Sequence, residues 1–213
     1  FAISLGLTSI NLYYMPAFAL IGAMLTVSTT FVLSMRNGRI HSVSLLLAGV
    51  AVSMFTWAVT SAILLFMNEH RFQEYLFWMV GGLEYRRWEH AELAAVPVLA
   101  GIFILCFLAR HLNVLVLGEQ EARAVGMPVM FFRLLLLGVA TVTTAAAVCV
   151  SGSIGFVGLV APHIMRILIG PEHRTLLPAC ALSGAAFLLA CDTLGRLLMP
   201  PVEIRAGILT ALI

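Results

Sequence analysis

The sequence contains no lysine, and charged residues of either sign make up only 10% of its 213 positions. All 12 basic side chains, histidine apart, are therefore arginines. A phosphate-binding P-loop needs the lysine of its G-x-x-x-x-G-K-[ST] motif to reach the terminal phosphates of a nucleotide. The lack of lysine thus excludes a standard ATPase site in this chain.

Motifs of catalysis and metal binding are also missing. The sequence has no H-E-x-x-H, no G-x-S-x-G and no C-x-x-C. We therefore predict no catalytic residue, no metal site and no nucleic-acid partner, and interpret the cysteines as small buried hydrophobic residues. The scattered histidines are at positions 41, 70, 90, 111, 163 and 173, and the cysteines, all within apolar runs, are Cys106, Cys149, Cys180 and Cys191.

What the chain has instead is apolar sequence. Hydrophobic residues make up 62% of it, and its mean hydropathy is +1.05. Several continuously apolar runs approach the ~20 residues that a helix needs to cross a bilayer, whereas barrel strands would alternate apolar and polar residues. We predict six whole helical spans, at 15–35, 45–67, 91–108, 131–150, 154–169 and 177–198, with partial pieces at 1–12 and 202–213. Because it begins without Met and stops inside an apolar run, we expect the middle and end of a longer protein.

The arginines indicate an orientation. If the segment 117–126 is cytoplasmic, seven of the arginines fall on its side and five on the other. This split agrees with the positive-inside rule. The seven are Arg36, Arg39, Arg110, Arg123, Arg133, Arg166 and Arg174.

The segment 117–126, LGEQEARAVG, is the most informative part of the sequence, because it places charges between two long apolar runs. Glu119, Glu121 and Arg123 can make charged contacts, and Ala122 permits close approach of a partner. Gly126, ahead of Met127-Pro128, is typical of a helix end. We predict a short polar helix where the protein meets water.

A second strong pattern occupies residues 152–174. Gly152, Gly155 and Gly158 are spaced to let neighbouring backbones approach, as membrane helix contacts often require. Pro162 then interrupts a run that is short for a full crossing. This pattern fits a tightly packed, kinked helix and fits equally a helix beside a translocation pathway.

Several ordered blocks, GSIGFVGLVAPHIMR, GPEHRTLLP, GAAFLLACDTLGR and VEIRAGILTALI, together with LGEQEARAVG, FWMVGGLEYRRW and LLLAGVA, cover almost the whole chain. In these blocks the chain resembles the FecCD-type permeases, the membrane subunits of type II ABC importers for iron chelates, haem and cobalamin. The resemblance implies an all-α transmembrane bundle, a single permease domain over 1–213, and about ten helices in a complete chain. It places the protein in the cell inner (plasma) membrane as a multi-pass subunit.

The same resemblance implies the partners. The permease forms a homodimer in the lipid bilayer, works with two ATP-binding subunits that hold ATP and Mg, and receives its cargo from a periplasmic or lipid-anchored binding protein. No cofactor belongs to this chain. An iron chelate, ferric siderophore or haem, is the predicted cargo because such chelates are the family's commonest. A cobalamin importer of the same family is the alternative.

The resemblance also assigns roles to residues. Segment 117–126 becomes the region that couples to the ATPase, and Ser42 and Val43 become the cytoplasmic gate, although a Val departs from the small polar residues often seen there. Arg196 becomes the main docking residue for the binding protein, with Asp192 supporting it at i, i+4, and Glu203 and Arg205 become further docking residues. Arg205 stands where the family commonly has Pro, a change that either strengthens docking or alters the start of the last helix. The coupling residues are Leu117, Gly118, Glu119, Glu121, Ala122, Arg123 and Gly126.

Two further features complete the predictions. Aromatic residues over 72–88 fit an interfacial belt or, as we hypothesise, a frame for the outer mouth built around Trp78 and Tyr85.

A secondary transporter working without ATP is a competing class, but it would need acidic residues at the membrane centre, and the spans have none there. A purely structural membrane subunit would leave segment 117–126 unexplained.

Overall fold

The structure is a computed structural model that describes residues 2–6, 13–36, 39–40, 42–84, 86–198 and 203–212. Helices account for nearly all of this part of the chain, as the continuously apolar runs predict. The elements in chain order are α1 (Tyr14–Ser34), β1 (Met35–Arg36), β2 (Arg39–Ile40), α2 (Ser42–Leu64), α3 (Glu69–Val80), α4 (Trp88–Phe107), α5 (Ala109–Val116), α6 (Glu119–Ala124), α7 (Val129–Ser151), α8 (Val157–Ile169), α9 (His173–Leu198) and α10 (Ala206–Leu212).

Five helices among the described residues are long and apolar enough to cross a membrane. They are α1, α2, α4, α7 and α9, and they match five of the six predicted spans. The prediction of a sixth whole span at 154–169 is wrong. That segment contains α8, whose 13 residues give a length of about 20 Å, against a hydrocarbon thickness of about 30 Å.

The helix is short because of backbone geometry ahead of it. Gly152 and Phe156 both have positive φ, 73° and 66°, so residues 152–156 form a non-helical connection between α7 and α8. Pro162 was expected to interrupt the run, but it lies inside α8, which continues to Ile169. The break therefore comes from the glycine connection and not from the proline.

The chain divides into two compact units, Phe1–Phe77 and Trp78–Ile213. In the first unit, α1 packs against α2, and the antiparallel pair β1–β2 lies between the two helices in the chain. In the same unit, the Arg71 guanidinium donates a hydrogen bond to the carbonyl of Ser4. The expectation of a single domain over 1–213 stays a prediction.

In the second unit, α4 packs along α7, and α9 packs against α8, α4, α5 and α10. A Cβ added at Gly101 in α4 would collide with the hydroxyl of Thr143 in α7, so the glycine lets these two helices lie close. The Thr143 hydroxyl donates to the Val139 carbonyl of its own helix (2.8 Å). This polar group within the span is thus satisfied by its own helix, as lipid surroundings require.

Candidate functional site

The segment 117–126 folds as predicted, into a short helix between two bends. Gly118 precedes α6 with a φ of 124°, and Gly126 follows it with a φ of 77°, values that favour glycine. Gly126 N–H donates to the Arg123 carbonyl (2.9 Å), and Met127 N–H donates to the Ala122 carbonyl (3.1 Å). These two bonds form a Schellman motif, so Gly126 ends α6 for a definite stereochemical reason.

Some charged side chains of this segment form ion pairs within the chain, and some are exposed to solvent. Glu119 accepts a hydrogen bond from Arg123 (2.5 Å) and lies 3.6 Å from a guanidinium nitrogen of Arg133 in α7. Glu119 therefore connects α6 to α7 through an ion pair. Arg123 and Glu121 are exposed, whereas Ala122 is fully buried. Glu121 and Arg123, the latter paired with Glu119, are thus the exposed charged groups of α6, and Leu117 adds an exposed apolar side chain.

The helix that leads into this segment, α5, is held on two sides. The ring of His111 stacks on Phe132 of α7, with ring centroids 3.9 Å apart. Asn113 contacts His173, the first residue of α9, through the backbone N–H and the imidazole. Neither contact was predicted from the sequence. The only sign available was a single amide, Asn113, within the apolar run 112–117.

The opposite end of the Trp78–Ile213 unit is built on glycines. Gly82 N–H donates to the Ser151 carbonyl at the end of α7 (2.8 Å), and Ser153 N–H donates to the Trp78 carbonyl in α3 (3.3 Å). A Cβ on Gly152 would fall on that same Trp78 carbonyl oxygen. Backbone therefore meets backbone between the end of α3 and the connection before α8.

The start of α10 joins the same region. Gly207 N–H donates to the Gly81 carbonyl (3.3 Å), and Ile204 N–H donates to the Gly195 carbonyl in α9 (3.1 Å). A Cβ at Gly207 would meet the Val80 carbonyl, and one at Gly195 the Ile204 carbonyl. We call Gly81, Gly152, Gly195 and Gly207 the glycine junction; it ties the ends of α3, α7 and α9 to the start of α10.

The other two glycines predicted to favour packing behave differently. A Cβ at Gly155 or Gly158 would meet no atom within 4 Å in the described part of the chain. Both residues are exposed. A pathway role for Gly155, Gly158 and Pro162 stays a prediction.

The residues predicted for docking lie at the junction end. The Arg196 Nε donates to the Asp192 carboxylate (2.9 Å), and the Arg196 side chain is 49% exposed whereas that of Asp192 is 12% exposed. This is the supporting arrangement expected from their spacing. Glu203 is exposed.

Arg205 is arranged differently from Arg196. Its Nε lies 3.9 Å from a carboxylate oxygen of Glu84, in the loop between α3 and α4, and both side chains are mostly buried. Partial burial lowers the pKa of Arg86, and the neighbouring Arg205 guanidinium lowers it further. Glu84 thus offsets positive charge that gathers where the loop meets the start of α10. The mostly buried Arg205 side chain therefore helps to hold the loop before α4 against the start of α10.

The predicted gate lies in the Phe1–Phe77 unit. Ser42 begins α2, but its side chain is outside the described residues; Val43 follows it and is 68% exposed. Of the aromatic pair proposed to frame the outer mouth, Tyr85 is likewise outside the described residues. Trp78 is half-buried, and its indole Nε1 has no hydrogen-bond partner among the described residues.

The five long apolar helices and the charged segments that connect them define a polytopic helical membrane protein. Comparison with known proteins narrows this class. The family model described as the FecCD transport family matches residues 1–213. The chain belongs to the FecCD transport family.

Among curated proteins, the chain is 44% identical over 198 residues to the cobalamin import system permease protein BtuC of Halobacterium salinarum, covering 92% of this chain and 52% of that protein. It is 38% identical to the hemin transport system permease protein HmuU of Yersinia pestis, covering 92% and 58%. It is also 38% identical to the probable siderophore transport system permease protein YfhA of Bacillus subtilis, covering 96% and 60%. The chain thus spans roughly half to three fifths of these relatives.

A solved structure agrees with the fold. The chain aligns over its whole length with 67% of a protein described as an inward-facing conformation of a metal-chelate type ABC transporter. The TM-score is 0.89 at 34% sequence identity.

Proposed function

We propose that this chain is the membrane-spanning permease part of an ATP-driven importer that moves a metal chelate across the plasma (inner) membrane. Its family and the names of its relatives support this class. The observation that carries the proposal is the structure of α6, a charged helix fixed by Glu119–Arg133 on one side while Glu121 and Arg123 remain exposed on the other. A fixed helix with an exposed charged face suits docking to an ATPase subunit.

The partners and cargo follow from the same family. The proposed assembly contains two copies of the permease, two ATP-binding subunits and a substrate-binding protein. ATP and Mg belong to the ATP-binding subunits, since this chain has no P-loop lysine. The relatives divide among cobalamin, hemin and siderophore permeases, and an iron chelate remains our prediction within that class.

Uptake into proteoliposomes tests the proposal. The full-length chain would be assembled with its ATPase and binding protein, and labelled ferric siderophore, haem and cobalamin would be offered separately. We expect uptake of one of them to require ATP and to fail in Arg123→Glu. Arg110→Gln, which alters an exposed arginine outside α6, is the matched control and should leave uptake near the wild-type rate. Uptake driven by an ion gradient without the ATPase would contradict the proposal and favour a secondary transporter.

A further inference from the structure

Asn113 makes an unusual contact between two helices. Its Oδ1 accepts a hydrogen bond from the backbone N–H of His173 (2.9 Å) and lies 2.7 Å from the Nδ1 of the same residue. A backbone N–H can only donate, so the amide must turn its oxygen toward His173. Because that oxygen only accepts, the imidazole Nδ1 must carry a proton. Two donors of one residue therefore converge on one side-chain oxygen.

This contact caps the longest helix of the described chain. His173 begins the 26-residue helix α9, and the first N–H groups of a helix have no partner within it. A side chain close in sequence usually supplies the missing acceptor. Here the acceptor comes from α5, 60 residues earlier in the chain. The beginning of α9 thus depends on the position of α5.

The helix α5 is placed to move with α6. Only Leu117 and Gly118 separate the two helices, and α5 packs against both α6 and α9. Ala109, at the start of α5, and Leu176, in the first turn of α9, are both buried. In turn, α9 packs closely against α8. Gly184 of α9 faces Val157 and Ala161 of α8. A continuous series of packed elements therefore leads from α6 through α5 to the α8–α9 pair.

We propose that Asn113 is a positioning residue that transmits displacement of α6 to the α8–α9 pair through its hydrogen bonds to His173. This inference rests on the proposed function, since α6 is displaced only if an ATPase subunit docks there. A rigid polar contact at the end of a long helix can pass on a small displacement, because loss of the acceptor would leave an N–H unpaired. Apolar packing alone would allow α5 to slide along α9.

Two substitutions separate the acceptor from the shape of the side chain. Asn113→Leu keeps a similar shape and removes the acceptor, whereas Asn113→Asp keeps an acceptor oxygen facing the start of a helix, where negative charge is favourable. Thr175→Val is the matched control. It removes the hydrogen bond that the Thr175 hydroxyl donates to the Glu172 carbonyl, which lies in the same turn of α9 but does not connect α9 to α5. Each variant would be made in the full-length chain and assembled with the ATPase and binding protein.

The measurement is cargo taken up per ATP hydrolysed in proteoliposomes, using whichever of cobalamin, haem and ferric siderophore the wild type transports. We expect Asn113→Leu to lower this ratio at least about fivefold, the lower end of typical coupling between two sites. Asn113→Asp and Thr175→Val should stay near the wild type. His173→Ala, which keeps the backbone donor, should give a smaller fall, and it decides the question if Asn113→Leu does not assemble.

The contrary results are distinct. An unchanged ratio in Asn113→Leu, with or without a loss of thermal stability, would show a static cap and overturn the inference. Equal losses in Asn113→Leu and Asn113→Asp would show that the acceptor is not the cause. An unchanged ratio in His173→Ala, where that variant decides, would likewise overturn it. Absence of ATP-dependent uptake in the wild type would refute the proposed function itself, and the inference with it.

Discussion

The glycine junction makes a prediction that can be worked out from the structure. Gly152 combines a φ of 73° with a position where a Cβ would fall on the Trp78 carbonyl oxygen. That oxygen is fixed, since it accepts the hydrogen bond from Ser153 N–H. The alanine in Gly152→Ala must therefore adopt a strained backbone conformation and also push apart two backbone segments.

The two effects can be given magnitudes. A left-handed conformation costs an ordinary residue about 1 kcal/mol, and overpacking against a rigid neighbour costs about 2 kcal/mol. Together they lower the free energy of unfolding by about 3 kcal/mol, which corresponds to roughly 6–12 °C in thermal midpoint for a chain of about 150–250 residues and to a smaller shift for a longer chain.

Thermal unfolding of the full-length chain in detergent, followed by the fraction that remains monodisperse after heating, measures this loss. Gly155→Ala is the control, because Gly155 has no positive φ and no atom within 4 Å of its Cβ position. It should shift the midpoint by no more than about 2 °C, as for a substitution away from packed features. Equal shifts in the two variants would refute the reasoning from backbone contact.

Three further outcomes are expected. Gly126→Val should strain the Schellman turn by about 1.4 kcal/mol and weaken binding of the ATPase subunit about tenfold, measured by titration in detergent; unchanged affinity would argue against a role for the end of α6. Glu84→Gln and Arg205→Gln should show a coupling of about 0.5–1 kcal/mol in a double-mutant cycle of thermal stability, and strictly additive effects would deny the ion pair. Arg196→Glu should reduce binding-protein affinity more than Arg205→Gln, because Arg196 is the more exposed, and the reverse order would overturn that assignment.

The sequence was sufficient for α6 because the information there is local. Gly126 follows a short run of good helix formers, and a left-handed C-terminal glycine is a property of the chain's own backbone. The pairing of Asp192 with Arg196 was predictable for the same reason, since side chains at i, i+4 meet on a helix. The five long spans followed from length and hydropathy, which need no knowledge of neighbours.

The segment 152–169 shows where such reasoning fails. Its apolar run is nearly long enough to cross the membrane, and hydropathy does not reveal that residues 152–156 leave the helix. The glycine pattern suggested three packing contacts, but only Gly152 faces a neighbour in the described chain. Periodicity places residues on one face of a helix and says nothing of what that face meets.

The sequence by itself determined the class of protein, the long spans and the helix in segment 117–126, because hydropathy, capping and i, i+4 spacing act over a few residues. Only the tertiary structure decided that Asn113 caps α9, that Glu119 holds α6 to α7, and that Arg205 lies against Glu84. These contacts join residues 14 to 121 positions apart. Their geometry depends on how whole helices pack, and no local pattern encodes it.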